Sequence, residues 1–188
     1  MSENTLNIPI ILGTTREGRE SEKVAKYIEK KVKEKTEIVT KLIDVRKLDF
    51  SGTEGRDLGD KNIEFKESIT NADGLIIVTP EYNHSFPGSL KMALDMFLPE
   101  YKHKAVGLCG VSDGGFGGAR AIEGLVSVMK TLRLSMIKPD LNFSLVDQLF
   151  DKNGNVLDNS YDKRIESFLE ELIWMTKTLK WGRNSIIN

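Results

Sequence analysis

The sequence predicts an α/β protein built on a doubly wound parallel sheet, with helices on both faces in three layers. Short apolar runs typical of buried strands alternate with segments whose apolar residues recur at helical spacing. Three of these runs end in a sharp turn, as happens where a parallel strand leads into a helix. A length of 188 residues is typical of one domain, and we expect residues 1–188 to form one.

Five strands are predicted, at residues 8–12, 38–42, 75–79, 105–111 and 134–137. The third is the clearest, because its run from Leu75 to Val78 is wholly apolar and rich in β-branched residues. That composition is expected of a central strand covered by helices on both faces.

Helices are predicted between and after these strands, where apolar residues recur every three or four positions. The segments are residues 20–35, 63–70, 88–97, 121–132 and 165–179. The stretch 44–62 is polar, carries three glycines and has no sustained period, so it is predicted to be a long mobile loop.

Composition and charge narrow the function classes. A net charge of −1 gives no electrostatic reason to expect a nucleic acid or an anionic membrane as partner. No signal peptide is recognised and no apolar stretch approaches the ~20 residues that span a bilayer. The single cysteine, Cys109, has no partner for an internal disulfide, and we therefore expect a cytoplasmic protein.

The first turn, residues 13–21, has the chemistry of an anion site. Thr14 and Ser21 offer hydroxyls, while Arg16 and Arg19 offer forked donors that match phosphate oxygens. The helix that follows adds unpaired backbone N–H groups at the same place. The alternative interpretation is an ordinary helix start, with capping hydroxyls and solvent-facing arginines.

This turn differs from the loop that binds nucleoside triphosphates. Gly13 and Gly18 have the required four-residue gap, but Arg19 and Glu20 stand where that motif needs Lys and then Ser or Thr. Nucleotide hydrolysis is therefore not predicted.

The second turn, residues 80–88, is the most specific of the three. Proline at both ends stiffens a loop that can lay an aromatic edge and backbone amides along a planar ring. Its predicted ligand-facing residues are Pro80, Glu81, Tyr82 and Asn83. The alternative is a rigid strand-to-helix connector with no ligand.

The third turn, residues 112–118, exposes main-chain N–H groups at Gly114 and Gly115 beside the hydroxyl of Ser112. It lacks the spacing of the dinucleotide fingerprint, because Arg120 stands where a third glycine is needed. A purely structural role is an equal alternative for this turn. With two histidines and one cysteine, the sequence predicts no metal site.

Together the turns resemble those of the NADPH-dependent FMN reductase family, which includes flavodoxin-like quinone, azo-dye and chromate reductases. The resemblance rests on residues 13–21 (GTTREGRES), 80–91 (PEYNHSFPGSLK) and 112–121 (SDGGFGGARA). It implies a flavodoxin-like five-stranded sheet of order 2-1-3-4-5, noncovalent FMN, and a homodimer or homotetramer. One departure is Met96, since many relatives have a tryptophan or tyrosine after the preceding aspartate.

Residue by residue, the resemblance implies three groups of cofactor contacts. The phosphate group would be held by Thr14, Arg16, Arg19 and Ser21. The isoalloxazine ring would be bordered by Pro80, Glu81, Tyr82 and Asn83. The polar edge of the ring or its ribityl chain would face Ser112, Gly114 and Gly115, and backbone N–H groups of the two glycines could stabilise reduced flavin.

The expected activity is transfer of hydride from NADPH or NADH through bound FMN to a small acceptor, such as a quinone, azo compound, metal oxyanion or free flavin. The flavin carries the chemistry, so no catalytic side chain is predicted. Arg56 and Arg120 are possible contacts of an NADPH 2′-phosphate, and free surface charges are at least an equal alternative for both. The alternatives are a flavodoxin-type electron carrier without its own NAD(P)H oxidation, or a flavin-binding sensor module.

Overall fold

The computed structural model describes residues 5–52 and 56–186, without the side chain of Arg56. The strands are β1 Leu6–Asn7, β2 Ile10–Leu12, β3 Ile38–Val39, β4 Leu42–Asp44, β5 Gly74–Pro80, β6 Ala105–Val111, β7 Ser135–Met136 and β8 Leu141–Phe143. The helices are α1 Ser21–Lys33, α2 Arg56–Lys61, α3 Ile63–Thr70, α4 Gly88–Asp95, α5 Ala119–Thr131, α6 Val146–Leu149 and α7 Ser160–Ile186.

The strands form a parallel sheet, in the order β4-β2-β5-β6-β7. β8 also pairs with β6, alongside its final residues, whereas β7 pairs with its first ones. β1 and β3 form a separate parallel pair. The predicted doubly wound α/β fold is confirmed.

The observed strands differ from the predicted ones in three places. Pro9 separates β1 from β2 because proline has no N–H to give to a neighbouring strand. Between β3 and β4, the Oγ1 hydroxyl of Thr40 donates to the carbonyl of Ile8 at 2.7 Å. The last predicted strand is followed by a further one, β8, beyond Pro139.

The two faces of the sheet have separate apolar cores. Ile76 and Val78 of β5 belong to the core beneath α1 and α7, and Leu75 and Ile77 belong to the core beneath α3, α4 and α5. All four side chains have no exposed surface. The alternation follows from the two-residue period of a strand, and covering both faces explains why the run is apolar throughout.

The prediction of a structureless loop over residues 44–62 is wrong in part. Residues 45–47 form a 3₁₀ turn and residues 56–61 form α2, while residues 53–55 lie outside the described residues. α2 is held by tertiary packing, because Leu58 is fully buried and a Cβ on Gly59 would lie 2.8 Å from the ring of Phe97. A two-turn helix of this kind leaves no periodicity for sequence analysis to detect.

Candidate functional site

The three turns meet at the carboxyl ends of β2, β5 and β6, where open α/β sheets bind ligands. They surround a cavity of about 260 Å³. Its lining residues are Arg16, Glu17, Gly18, Arg19, Glu20, Ser21, Pro80, Glu81, Tyr82, Val111, Ser112, Asp113 and Val146. Seven of the eleven residues predicted to contact a cofactor are therefore brought together here.

Arg19 is buried in the first turn, and the solvent-facing arginine of the alternative interpretation is wrong for this residue. Its side chain is 1% exposed. Nη1 donates to the backbone carbonyl of Thr14, and Nη2 donates to Oδ2 of Asp44 at 2.5 Å. The carboxylate of Glu22 lies 3.5 Å from the same Nη2. Two of the three guanidinium nitrogens are thus engaged by the protein itself.

Two polar atoms of this turn have no partner within the described residues. They are Nε of Arg19 and Oγ of Ser21, both buried. An unpaired buried donor is costly unless a ligand or water completes it. Because both residues line the cavity, the first turn fits an anion such as a phosphate group.

The carboxylates around Arg19 are ionised. Burial acts to raise the pKa of the Asp44 carboxyl, but hydrogen bonds from the Arg19 side chain and the Arg46 backbone outweigh it and hold the pKa below its ordinary value. A hydrogen bond from Lys26 lowers the pKa of Glu22 in the same way. The charge of Arg19 is therefore already balanced before any anion binds.

Arg16 is the exposed cation of the first turn and contacts the second turn. Its guanidinium lies 5.5 Å from the centre of the Tyr82 ring, within the range of a cation–π contact. Across residues 5–52 and 56–186 it forms no ion pair closer than 4.0 Å. The hydroxyls of Tyr82 and the buried Thr14 lie 3.2 Å apart, which joins the two turns directly.

A second cavity of about 420 Å³ lies beside the first, and Arg16 and Tyr82 line both. It also contains two predicted cofactor contacts that do not line the first cavity, Thr14 and Asn83. The first two turns thus present a polar surface on each side of Tyr82.

The second turn is a tight two-residue hairpin. Tyr82 and Ser85 exchange both backbone hydrogen bonds, at 2.8 and 3.0 Å. Asn83 and His84 between them have φ values of +49° and +64°, the left-handed conformation of a type I′ turn. Asparagine tolerates this conformation better than most residues, and the turn holds Tyr82 rigidly at the mouth of the cavity.

Glu81, which lines the cavity, pairs with Arg120 at the start of α5. Its carboxylate accepts from the Arg120 guanidinium at 2.8 Å and from the Arg120 backbone N–H at 3.2 Å. Arg120 also lies 4.6 Å from the centre of the Phe116 ring. Arg120 thus pairs with Glu81 while its side chain stays 42% exposed. The side chain of Arg56, the other possible 2′-phosphate contact, lies outside the described part of the chain.

The glycines of the third turn divide into two kinds. A Cβ on Gly118 would lie 2.4 Å from the backbone nitrogen of Val111, and one on Gly117 would lie 2.8 Å from Asn142. Gly114 and Gly115 are exposed and have open space around them. Neither of these two lines the cavities described above, whereas Ser112 does.

Ser112 organises the third turn. Its hydroxyl donates to the carbonyl of Gly114 at 3.0 Å and accepts from the N–H of Gly118 at 3.3 Å. The backbone of the turn therefore surrounds the Ser112 hydroxyl, and Gly114 and Gly115 form the exposed part of the turn.

Sequence reasoning missed the roles of Asp44 and Val146. Asp44 could have been found, because it ends β4 at the same edge of the sheet as the three turns. Val146, which lines the cavity, follows Leu145, a bulky residue with a φ of +49°. Nothing in the local sequence indicates that this segment returns to the site.

Comparison with known proteins agrees with this geometry. The family model of the NADPH-dependent FMN reductases matches residues 6–148. The chain belongs to this family. The match includes all three turns and ends within α6, so that α7 and the segment before it fall outside.

Two relatives illustrate the similarity. A 2-hydroxy-1,4-benzoquinone reductase of a Burkholderia species is 34% identical over 113 residues, which cover 57% of this chain and 62% of that protein. A quinone reductase of Escherichia coli K12 is 31% identical over 166 residues, covering 84% of this chain and 88% of that protein. The chain therefore spans less than two thirds of the first of these relatives.

A solved structure supports the fold. The flavoenzyme NAD(P)H:(acceptor) oxidoreductase of Paracoccus denitrificans superimposes with a TM-score of 0.78 at 21% identity, covering 93% of this chain and 98% of that one. Within the described residues of the present chain, none of the helices is both long and apolar enough to cross a membrane.

Proposed function

We propose that this protein is an FMN-dependent NAD(P)H oxidoreductase that reduces a small acceptor such as a quinone, azo compound, metal oxyanion or free flavin. The observation that carries the proposal is the convergence of three turns on one cavity, with unpaired buried donors at its first turn. Family membership and the quinone reductases among the relatives support the same activity.

The first turn would bind the FMN phosphate. Ser21 and Arg19 have unpaired buried donors, and Arg16 is an exposed cation on the adjacent rim. The hydroxyl of Thr14 is shared with Tyr82 and the backbone N–H of Arg16, so it would help to fix the loop around the anion. Hydrogen bonds to phosphate from a rigid loop give both affinity and orientation.

The second and third turns would hold the flat part of the cofactor. Pro80, Glu81 and Tyr82 line the cavity, and Asn83 stands at the hairpin tip, so backbone and aromatic edge would border the ring. Ser112 lines the same cavity. Gly114 and Gly115 are bare of side chains, and their N–H groups would stabilise negative charge on the polar edge of the ring.

Bound FMN would supply the redox chemistry, taking hydride from NADPH or NADH and passing the electrons to the acceptor. The residues of the chain would then bind, orient and stabilise charge.

The decisive experiment is anaerobic reduction of the FMN-loaded protein. We expect purified protein to take up FMN and to lose its yellow absorbance when NADPH or NADH is added, with the colour returning on addition of a quinone. A protein that fails to bind FMN would refute the proposal. Bleaching that requires a second protein would instead identify an electron carrier.

Arg16→Ala should weaken FMN binding about tenfold, because it removes the exposed cation of the phosphate turn. Riboflavin lacks the phosphate, so its affinity should stay within about twofold. The measurement is quenching of flavin fluorescence in a titration of each ligand. Lys23→Ala is the matched control, since this exposed lysine pairs with Glu20 and lies outside the cavity lining. Unchanged FMN affinity would remove Arg16 from the site.

We further propose a homodimer or homotetramer in the cytoplasm. Trp174 and Trp181 support assembly, because they lie seven positions apart on α7 and are 60% and 64% exposed. The single cysteine, Cys109, supports a reducing compartment, since it has no partner for an internal disulfide. Light scattering after size-exclusion chromatography tests the assembly.

A further inference from the structure

Asp44 contacts the first turn, residues 13–21, but it does not line the cavity that the three turns surround. Its Oδ2 accepts from Nη2 of Arg19 at 2.5 Å, and its Oδ1 accepts from the backbone N–H of Arg46 at 2.9 Å. The side chain is 13% exposed. Because each oxygen has its own donor, the carboxylate is held in one orientation at the end of β4.

Arg19 is consequently clamped between two strands. Thr14, just beyond β2, holds Nη1 through its carbonyl, and Asp44 holds Nη2. A planar guanidinium held at both terminal nitrogens has one orientation, and Nε is its one nitrogen without a partner among the described residues. That Nε and the neighbouring hydroxyl of Ser21 are the two buried atoms of the turn without partners.

We propose that Asp44 is a positioning residue that sets the preference of the site for phosphorylated flavin by fixing Arg19. The inference rests on the proposed function, because it requires FMN as the ligand. FMN and riboflavin differ by the phosphate group alone. The ratio of their dissociation constants therefore isolates the phosphate contacts from those of the ring.

The opposite expectation follows if charge dominates. Asp44 brings a negative charge near the phosphate, and removing it would then strengthen FMN binding. The geometry favours positioning, because Arg19 is buried and Asp44 is its closest charged partner. Glu22 provides a charge control, since its carboxylate lies farther from the same nitrogen, at 3.5 Å, and is 33% exposed.

The test compares Asp44→Asn, Asp44→Glu and Glu22→Gln with the parent protein. FMN and riboflavin are titrated separately into flavin-free protein, and binding is followed by fluorescence quenching. In both Asp44 variants, the preference for FMN should fall about tenfold. Glu22→Gln should change it less than about twofold, as expected for a partly exposed pair. Asp44→Glu keeps the charge but displaces it by one methylene, so the two variants separate position from charge.

Four outcomes would overturn the inference. They are an unchanged preference in the Asp44 variants, a stronger preference for FMN in Asp44→Asn, an equal fall in Glu22→Gln, and a parallel loss of both flavins, which would indicate a general structural role. Thermal unfolding without flavin checks that each variant is folded, and Asp44→Glu decides the question if Asp44→Asn does not fold. A parent protein without affinity for FMN would refute the proposed function itself.

Discussion

Gly118→Ala should lower the free energy of unfolding by about 3 kcal/mol and weaken FMN binding with it. Gly118 has a φ of +79°, which disfavours any residue with a Cβ. The added methyl would also lie 2.4 Å from the nitrogen of Val111 and 2.6 Å from the carbonyl carbon of Gly110. Both neighbours are backbone atoms of β6, which cannot move aside without breaking the sheet.

FMN binding should weaken together with stability because Gly118 connects the third turn to α5. Its N–H donates to the hydroxyl of Ser112, and its carbonyl accepts from the N–H of Ile122. Gly115→Ala is the matched control: it lies in the same turn, with open space where the methyl would be. Urea unfolding should show a change within about 0.5 kcal/mol for the control. Equal destabilisation by the two substitutions would contradict the conclusion that Gly118 is closely packed and Gly115 is not.

Gly107→Ala should lower the free energy of unfolding by about 2 to 3 kcal/mol, although Gly107 does not line the cavity. Gly107 lies in the middle of β6, paired with Ile76. A Cβ there would lie 2.3 Å from Cζ of Phe168, a residue of α7 with no exposed surface. All three nearest atoms belong to the Phe168 ring, so relief requires the ring or α7 to move away from β6.

A double-mutant cycle with Phe168→Leu tests this cause, because the smaller side chain provides room for the methyl. The double variant should be less destabilised than the sum of the two single variants. Gly182→Ala, in the same helix α7 with no neighbour within 4 Å of the added methyl, should instead stabilise by up to about 1 kcal/mol. If the losses of stability in the two single variants simply add in the double variant, the contact with Phe168 is not the cause of the destabilisation.

The prediction of the fold from sequence succeeded where the signal is local and repeated. The apolar run of β5 and the helical spacing in α1 and α5 depend on residues close together in the chain. It failed for α2 and β8, which are short and gain their stability from distant partners: Gly59 packs on Phe97, and β8 pairs with the last residues of β6. Such elements carry no periodicity of their own.

The sequence by itself determined that three turns end neighbouring parallel strands, and it predicts a ligand site at that edge of the sheet. The tertiary structure alone decided what each residue does there. Only in the folded chain does Arg19 pair with Asp44 and Glu81 with Arg120. The fold also packs Gly117 and Gly118 against backbone, whereas Gly114 and Gly115 have open space around them. The physical reason is that strand endings follow from local patterns, whereas hydrogen-bond partners and close backbone approaches depend on residues that meet only when the chain is folded.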